Sequence, residues 1–324
     1  MIREILAEYE ILKPVQITHL GNAGGFSGAS IVRVEQPTRT WCLRQWPKSH
    51  PSEQTLDWIH RNLLHAALNG CPVPAPKRTR NGATFLKSAG HLWEISPWMT
   101  GQADFATSPN ETRLLNAVQK LAEFHQSTAQ IQLEFDHSQN LMARAKQLAN
   151  FPSTLTAVKQ PALNHTGPWI KSLYHCLCER ASLVQPCLNE LAQLANQSMV
   201  LQPVIRDIWH DHILFNGNEV SGLIDFGAMQ LDNIALDLAR MLGSLLGEPD
   251  NQQWPTAIEH YCSIRPLQEN ELRAIRVLDR SGILLGCLNW LRWILLEQRT
   301  YEDWQAVQQR IQILNQRLEQ LPEV

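Results

Sequence analysis

The hydrophobic residues of this chain change period once, near residue 100, and that change limits the folds open to it. Up to Pro97, "ITHLGNAGGFSGASIVRVE", "RTWCLRQW" and "ATFLKSAGHLWEISPW" read as strands joined by glycine turns. Only "SEQTLDWIHRNLLHAALNG" sets apolar residues (Leu56, Ile59, Leu63, Leu64, Ala67) at helical spacing, with a stop at Gly70. Beyond Gly101, helix periodicity dominates. "ETRLLNAVQKLAEFHQS" keeps Leu114, Leu115, Val118, Leu121, Ala122 and Phe124 on one side, and "ALDLARMLGSLLG" and the chain from about residue 255 continue in helices. The expected class is α+β with two lobes. Residues 1–97 form an antiparallel sheet with one long helix, and residues 98–324 a mainly helical lobe. Residues 127–170, broken by Pro and Asn, read as an insertion or lid.

Composition excludes several classes. No apolar run reaches the roughly 18 residues a membrane span needs, and "MIREILAEYEIL" carries charges where a signal peptide needs an apolar core. No basic run interleaved with aromatics points to nucleic acid. The seven cysteines lack the spacing of a disulfide framework or zinc site, so reduced thiols in the cytoplasm are expected. Net charge is +4 over residues 1–97 and −7 over 98–324. That asymmetry suits an anion at the first lobe and a neutral or cationic ligand at the second, and equally suits an accident of surface composition.

Chemistry concentrates in two stretches. "GNAGGFSGAS" lies between strands, and its Gly24, Gly25, Phe26, Ser27 and Gly28 fit a plain hairpin turn or a backbone cradle for an anion. The cradle gains weight from a cation on the following strand, and Arg44 of "WCLR" is placed for it. The second stretch is "VIRDIWHDHILFNGNEVSGLIDFGAM". Asp207 is followed five residues later by His212, then a strand, the turn "NGNE", a second strand, and Asp225-Phe226-Gly227. An aspartate, a ligand five residues on, a hairpin and Asp-Phe-Gly make a phosphoryl-transfer layout: Asp207 takes the acceptor's hydroxyl proton and Asp225 binds the metal that bridges phosphate oxygens.

The order of these features, closed by "LAEFH" ahead of the hairpin and "LDLAR" after it, resembles the aminoglycoside phosphotransferase and choline kinase group of small-molecule kinases over roughly residues 15–300. The resemblance implies a protein-kinase-like fold, ATP as donor, Mg²⁺ or Mn²⁺ as metal, and a small-molecule hydroxyl as acceptor, of aminoglycoside, homoserine, choline, thiamine or sugar type. It further implies adenine contacts from the backbone of Pro97 and Met99 in the hinge, and an anchoring role for Asp237. Two positions depart from the group's pattern: Arg44 stands where Lys is usual, and His212 where the second metal ligand is usually Asn. Either one metal then suffices, or His212 is a ligand for a softer ion such as Mn²⁺, or it orients Asp207 without touching metal, and the departures keep open a nucleotide-binding pseudokinase. A protein kinase is disfavoured, because the compact link to "LDLAR" leaves little room for an activation loop. Glu53 and Asp57 on the long helix are both candidates to pair with Arg44. His125 reads as helix packing, and Trp290, Trp293 and Trp304 as C-terminal packing or the lining of an acceptor pocket.

Overall fold

The computed structural model describes residues 1–21, 28–247, 251–301 and 303–322. Its contacts divide them into two compact units: Met1–Gln132 with His210–Met229, and Leu133–Trp209 with Gln230–Val324. This cut differs from a boundary at residue 97, because the hairpin of the second stretch folds with the first 132 residues.

In the first unit, α1 (Ile2–Glu8) precedes the strands β1 (Gln16–Gly21), β2 (Ser30–Glu35) and β3 (Thr40–Gln45). Then come α2 (Glu53–Leu68), β4 (Phe85–Ser88), β5 (His91–Pro97) and α3 (Glu111–Ala129). The strands make one antiparallel sheet in the order β1-β2-β3-β5-β4. Period-two alternation gives the sheet two faces. Val32, Val34, Trp41, Leu43, Trp93 and Ile95 pack with Ile5, Leu6 and Tyr9 of the N-terminal segment, and the Tyr9 hydroxyl donates to the Trp93 carbonyl at 2.9 Å. Leu43 therefore faces α1, and its neighbour Arg44 projects to the opposite side, with Trp46 two residues on. Ser52 caps α2, its Oγ accepting the Thr55 N–H at 3.1 Å. The helix ends at Leu68, two residues before Gly70, whose φ of 81° is the left-handed stop expected there. Leu56, Ile59 and Leu63 are buried as expected, and so is His60.

The second unit begins with β6 (Glu134–His137), α4 (Gln139–Ala149), α5 (Phe151–Asn164), α6 (Pro168–Glu179), α7 (Val184–Ala195) and β7 (Ser198–Val204). The chain then returns to the first unit for the hairpin β8 (Ile213–Asn216) and β9 (Glu219–Leu223), which turns at Gly217. Back in the second unit lie β10 (Gln230–Asp232), α8 (Ala235–Leu246), α9 (Gln253–Ile264), α10 (Glu269–Leu295) and α11 (Trp304–Glu319). The segment 127–170 is woven into this unit. β6 pairs with β7, Ser138 caps α4 and donates to Asp232, and Arg144 donates to the Leu278 carbonyl of α10 at 2.7 Å. No helix among the described residues is long and apolar enough to cross a membrane.

Candidate active site

In the first unit the site is built on the sheet face that carries Arg44. β3 and β5 set Arg44 directly opposite Glu94, so a guanidinium and a carboxylate meet as a cross-strand pair, with Nε 3.7 Å from Oε1. Arg44 Nη1 also lies 3.4 Å from Asp225 Oδ1, and the guanidinium carbon sits 4.8 Å from the centre of the Trp46 ring. Burial works against the Arg44 charge. Glu94 first and Asp225 second outweigh it, and the arginine is held above its ordinary pKa.

The long helix supplies neither expected partner. Glu53 is bound to Lys87 at 2.6 Å and Asp57 to Arg61 at 3.1 Å, both on exposed surface. The helix contributes His60 instead. Its Nε2 is 2.6 Å from Glu94 Oε2, and its Nδ1 is 2.8 Å from Thr84 Oγ1. Burial would raise Glu94, but the hydrogen bond and charge of His60, then Arg44, bring it below the ordinary carboxylate range. The chain His60–Glu94–Arg44–Asp225 thus runs from helix to sheet to hairpin. A glutamate amid the apolar residues of "LWEIS", and a histidine four residues after Leu56 on an apolar helix face, were the sequence signals for it.

The hairpin positions the acidic end. Ile213 pairs with Leu223, and the Ile224 N–H donates to the His212 carbonyl at 3.0 Å, so the two ends of the hairpin close on each other. His212 Nε2 comes to 3.7 Å from Asp225 Oδ2. Asp225 itself has a φ of 64°, a left-handed conformation that L residues seldom adopt without need. The neighbouring residues hold it there: Phe226 packs on Phe124 of α3 at 5.5 Å between ring centres, and a Cβ on Gly227 would stand 2.8 Å from the Trp46 ring. Trp46 thus lies near both Arg44 and the Asp-Phe-Gly backbone.

Pro97 closes β5 opposite Trp41, and the Trp98 N–H donates to the Thr40 carbonyl at 3.0 Å. Met99 packs on Gly222, where a Cβ would sit 3.1 Å from its own Cβ. Gln102 and Phe215 exchange two backbone hydrogen bonds of 2.9 Å, and at Gly101, with φ 114°, a Cβ would lie 2.8 Å from the Phe215 carbonyl oxygen. The hinge and the hairpin are therefore pinned together. Of the glycine-loop residues, Gly24, Gly25, Phe26 and Ser27 lie outside the described residues; Gly28 has the left-handed φ of 72°.

Asp207 belongs to the second unit. The buried Asp237 of α8 accepts the backbone N–H groups of Ile205 at 2.7 Å and Arg206 at 2.6 Å, which fixes Arg206 at φ 68° and sets the direction of the loop at Asp207. Asp207 Oδ1 lies 3.1 Å from Arg240 Nη2, the arginine of "LDLAR". Trp290, Trp293, Tyr301 and Trp304 form a chain of ring contacts 5.2–5.5 Å apart where α10 and α11 meet. His125 is fully buried in α3.

The donor set at Asp225 is one carboxylate and one imidazole, and among the described residues no three His, Cys, Asp or Glu gather as a metal cage. Mg²⁺ is ordinarily held by one or two carboxylates together with substrate phosphates and water. The residues therefore fit a cation that arrives with a nucleotide better than one the protein would bind alone.

Comparison with known proteins bears on the family and the fold. The model of the phosphotransferase enzyme family matches residues 19–278. A homoserine kinase of Methylocella silvestris is 28% identical over 278 residues, which cover 84% of this chain and 79% of that protein. An aminoglycoside phosphotransferase from Alicyclobacillus acidocaldarius shares the fold with a TM-score of 0.65 at 14% identity, over 98% of this chain and 92% of that one. A spectinomycin phosphotransferase solved with ADP and spectinomycin shares it with a TM-score of 0.67 at 12% identity, over 99% and 98%. The chain belongs to the phosphotransferase enzyme family and is a small-molecule kinase of protein-kinase-like fold.

Proposed function

We propose that the chain transfers the γ-phosphoryl group of ATP to a hydroxyl of a small molecule of hydroxy-amino-acid type. The observation that carries this reading is Asp225, held on left-handed backbone with one carboxylate oxygen toward Arg44 and the other toward His212. A carboxylate so constrained is a fixed point for a nucleotide's cation, and Arg44 beside it is a fixed positive charge for phosphate oxygens. The ADP in the spectinomycin phosphotransferase supports an adenine nucleotide, and the homoserine kinase supports the acceptor type.

In the proposed reaction the acceptor oxygen bonds to the γ-phosphorus, the bond from that phosphorus to the bridging oxygen breaks, and ADP leaves. Asp207 accepts the hydroxyl proton. Arg44 and the backbone from Gly24 to Gly28 hold phosphates, with Glu94 and His60 keeping Arg44 in place. Pro97 and Met99 offer backbone groups to the adenine. Asp225 would hold Mg²⁺ or Mn²⁺, with His212 as a further ligand or as a residue orienting Asp207. Such an ion, when bound, neutralises the charge that develops on the phosphates. Residues 1–97 serve the nucleotide and 98–324 the acceptor, with 127–170 on the acceptor side. The partner is a small molecule, with neither nucleic acid nor membrane involved, and the place of action is the cytoplasm, where the seven free cysteines stay reduced. Nothing in the comparisons favours an inactive pseudokinase.

The test is ADP release across a library of hydroxyl metabolites, run with Mg²⁺ and with Mn²⁺. An acceptor that drives ADP release in the wild type and fails to do so in Asp225→Ala supports the reading. A library with no active member overturns it.

A further inference from the structure

Trp46 lies against three parts of the proposed nucleotide site and takes no part in the reaction proposed above. It follows Gln45, the last residue of β3, and two residues after Arg44 it shares that residue's side of the sheet. Both of its backbone groups are pinned. The N–H donates to the Leu92 carbonyl at 2.9 Å, and the carbonyl accepts from His91 Nδ1 at 2.7 Å. The side chain is buried and packs with Leu56 of α2, Leu92 of β5 and Ala29, the residue after Gly28 of the glycine loop. An indole held and packed in this way has no room to swing aside.

Two neighbours press on the ring. The Arg44 guanidinium carbon lies 4.8 Å from its centre, close enough for a cation to be drawn to the aromatic face. At Gly227, a Cβ would stand 2.8 Å from the indole Cη2 and 3.1 Å from Cζ3, both on the six-membered ring. The φ of Gly227 lies outside the left-handed region, so the backbone conformation does not itself demand glycine. The approach of the indole does. Asp225 Oδ1 is 3.6 Å from that same Cβ position and 3.4 Å from Arg44 Nη1, so cation, carboxylate and indole meet at one point.

Resting on the phosphotransferase reading above, we propose that Trp46 is a positioning residue. Its indole is the spacer that sets Arg44 against the Asp225-Phe226-Gly227 backbone, and thereby sets the grip on the nucleotide's phosphates and cation. The spacer also accounts for an arginine where the family resemblance leads one to expect lysine. A planar guanidinium can rest on an indole and still reach Asp225.

The test is a double-mutant cycle on the full chain, read by calorimetry of a non-hydrolysable ATP analogue with Mg²⁺ and by the kinetics of ADP release. Gly227→Ala should weaken analogue binding by about 30-fold or more, because the added methyl meets a ring that cannot retreat. Phenylalanine lacks the two atoms that crowd Gly227, so in a Trp46→Phe background the same change should cost less than about three-fold. A Trp46→Leu background should tolerate it too, which guards against a Phe variant that folds badly. By itself Trp46→Leu removes the ring beside Arg44 and should raise the KM for ATP by about ten-fold, more than it lowers kcat. Trp46→Phe keeps a ring and should recover most of that loss. If Trp46 only filled the core, Trp46→Leu would melt earlier yet keep the wild-type KM for ATP, and Gly227→Ala would cost the same in every background. Either result overturns the proposal. Non-additive binding costs without ADP release from any acceptor would leave this inference standing and sink the kinase reading. ADP release by the wild type, with equal Gly227→Ala costs in each background, would do the reverse.

Discussion

Arg44 and Arg240 each hold an aspartate of the proposed reaction, in different electrostatic company. Arg44 is one cation between two acids, Glu94 on the neighbouring strand and Asp225 at the hairpin exit. Arg240 lies 3.1 Å from the carboxylate of Asp207 and 5.8 Å from the centre of the Trp209 ring. Bulk charge would not have suggested two acids at Arg44, since residues 1–97 carry +4 and residues 98–324 carry −7. Net charge over a hundred residues reports mostly the solvated surface, and a site is decided by the few groups within a few ångströms. A cation shared by two acids is anchored, which the proposed grip on nucleotide phosphates requires.

Replacing the acid of the second region should give the largest effect. Asp207→Asn keeps the shape but cannot take a proton, so turnover should fall by about 10³-fold or more while ATP affinity stays within two-fold. Single-turnover phosphoryl transfer and nucleotide calorimetry on the variant check both halves. Turnover within three-fold of wild type would move the base elsewhere.

The first region should respond next, through Glu94. Glu94→Gln removes one of the two acids that steady Arg44, and the guanidinium then leans on Asp225 alone. A loss of about 10–100-fold in kcat/KM for ATP is expected. Glu53→Gln and Asp57→Asn should stay within two-fold, because Glu53 is bound to Lys87 and Asp57 to Arg61 on exposed surface. A helix-acid variant that costs more than Glu94→Gln would show that the strand carboxylate is not the partner that counts.

These contrasts mark what the sequence could tell. The change of period near residue 100, the hairpin, Asp-Phe-Gly and the place of Arg44 were legible because each is a local pattern in one stretch of chain. Glu94 was not, because its pairing depends on the register between β3 and β5, fifty residues apart in sequence. Sequence proximity favoured Glu53 and Asp57, but helical periodicity turns both outward. The tryptophans near the C-terminus were legible as a cluster, and they meet edge-on or tilted, with Tyr301 between Trp290 and Trp304, where α10 and α11 meet.

His212 offers a finer cut at the first region. If its imidazole ligates the metal, His212→Asn should shift the ratio of Mn²⁺- to Mg²⁺-supported activity toward Mg²⁺ by several-fold, because a hard cation prefers the amide oxygen. If it orients Asp207 by a hydrogen bond, the ratio should stay put while turnover falls. Metal titrations of both proteins, read as ratios, separate the two roles.

The smallest effect concerns stability and follows from the sign of one shift. Burial alone would raise Glu94, yet His60 and Arg44 bring it below its ordinary value of 4.5. The folded chain therefore holds this proton less readily than the unfolded chain. Such a group adds stability that is fully present above about 4.5 and is lost as pH falls through the lowered folded value. Glu94→Gln should melt roughly 3–8 °C below wild type near neutral pH, a cost on the order of 2 kcal/mol for disturbing a partly buried pair. That gap should stay level from pH 8 down to about 5 and then narrow as the wild type, but not the variant, loses its charged partner. Melting curves of both proteins at half-unit steps from pH 3.5 to 8 would show it. A gap that widens in acid would mean that Glu94 is held neutral in the folded chain, and Arg44 would then have Asp225 as its one charged neighbour among these residues.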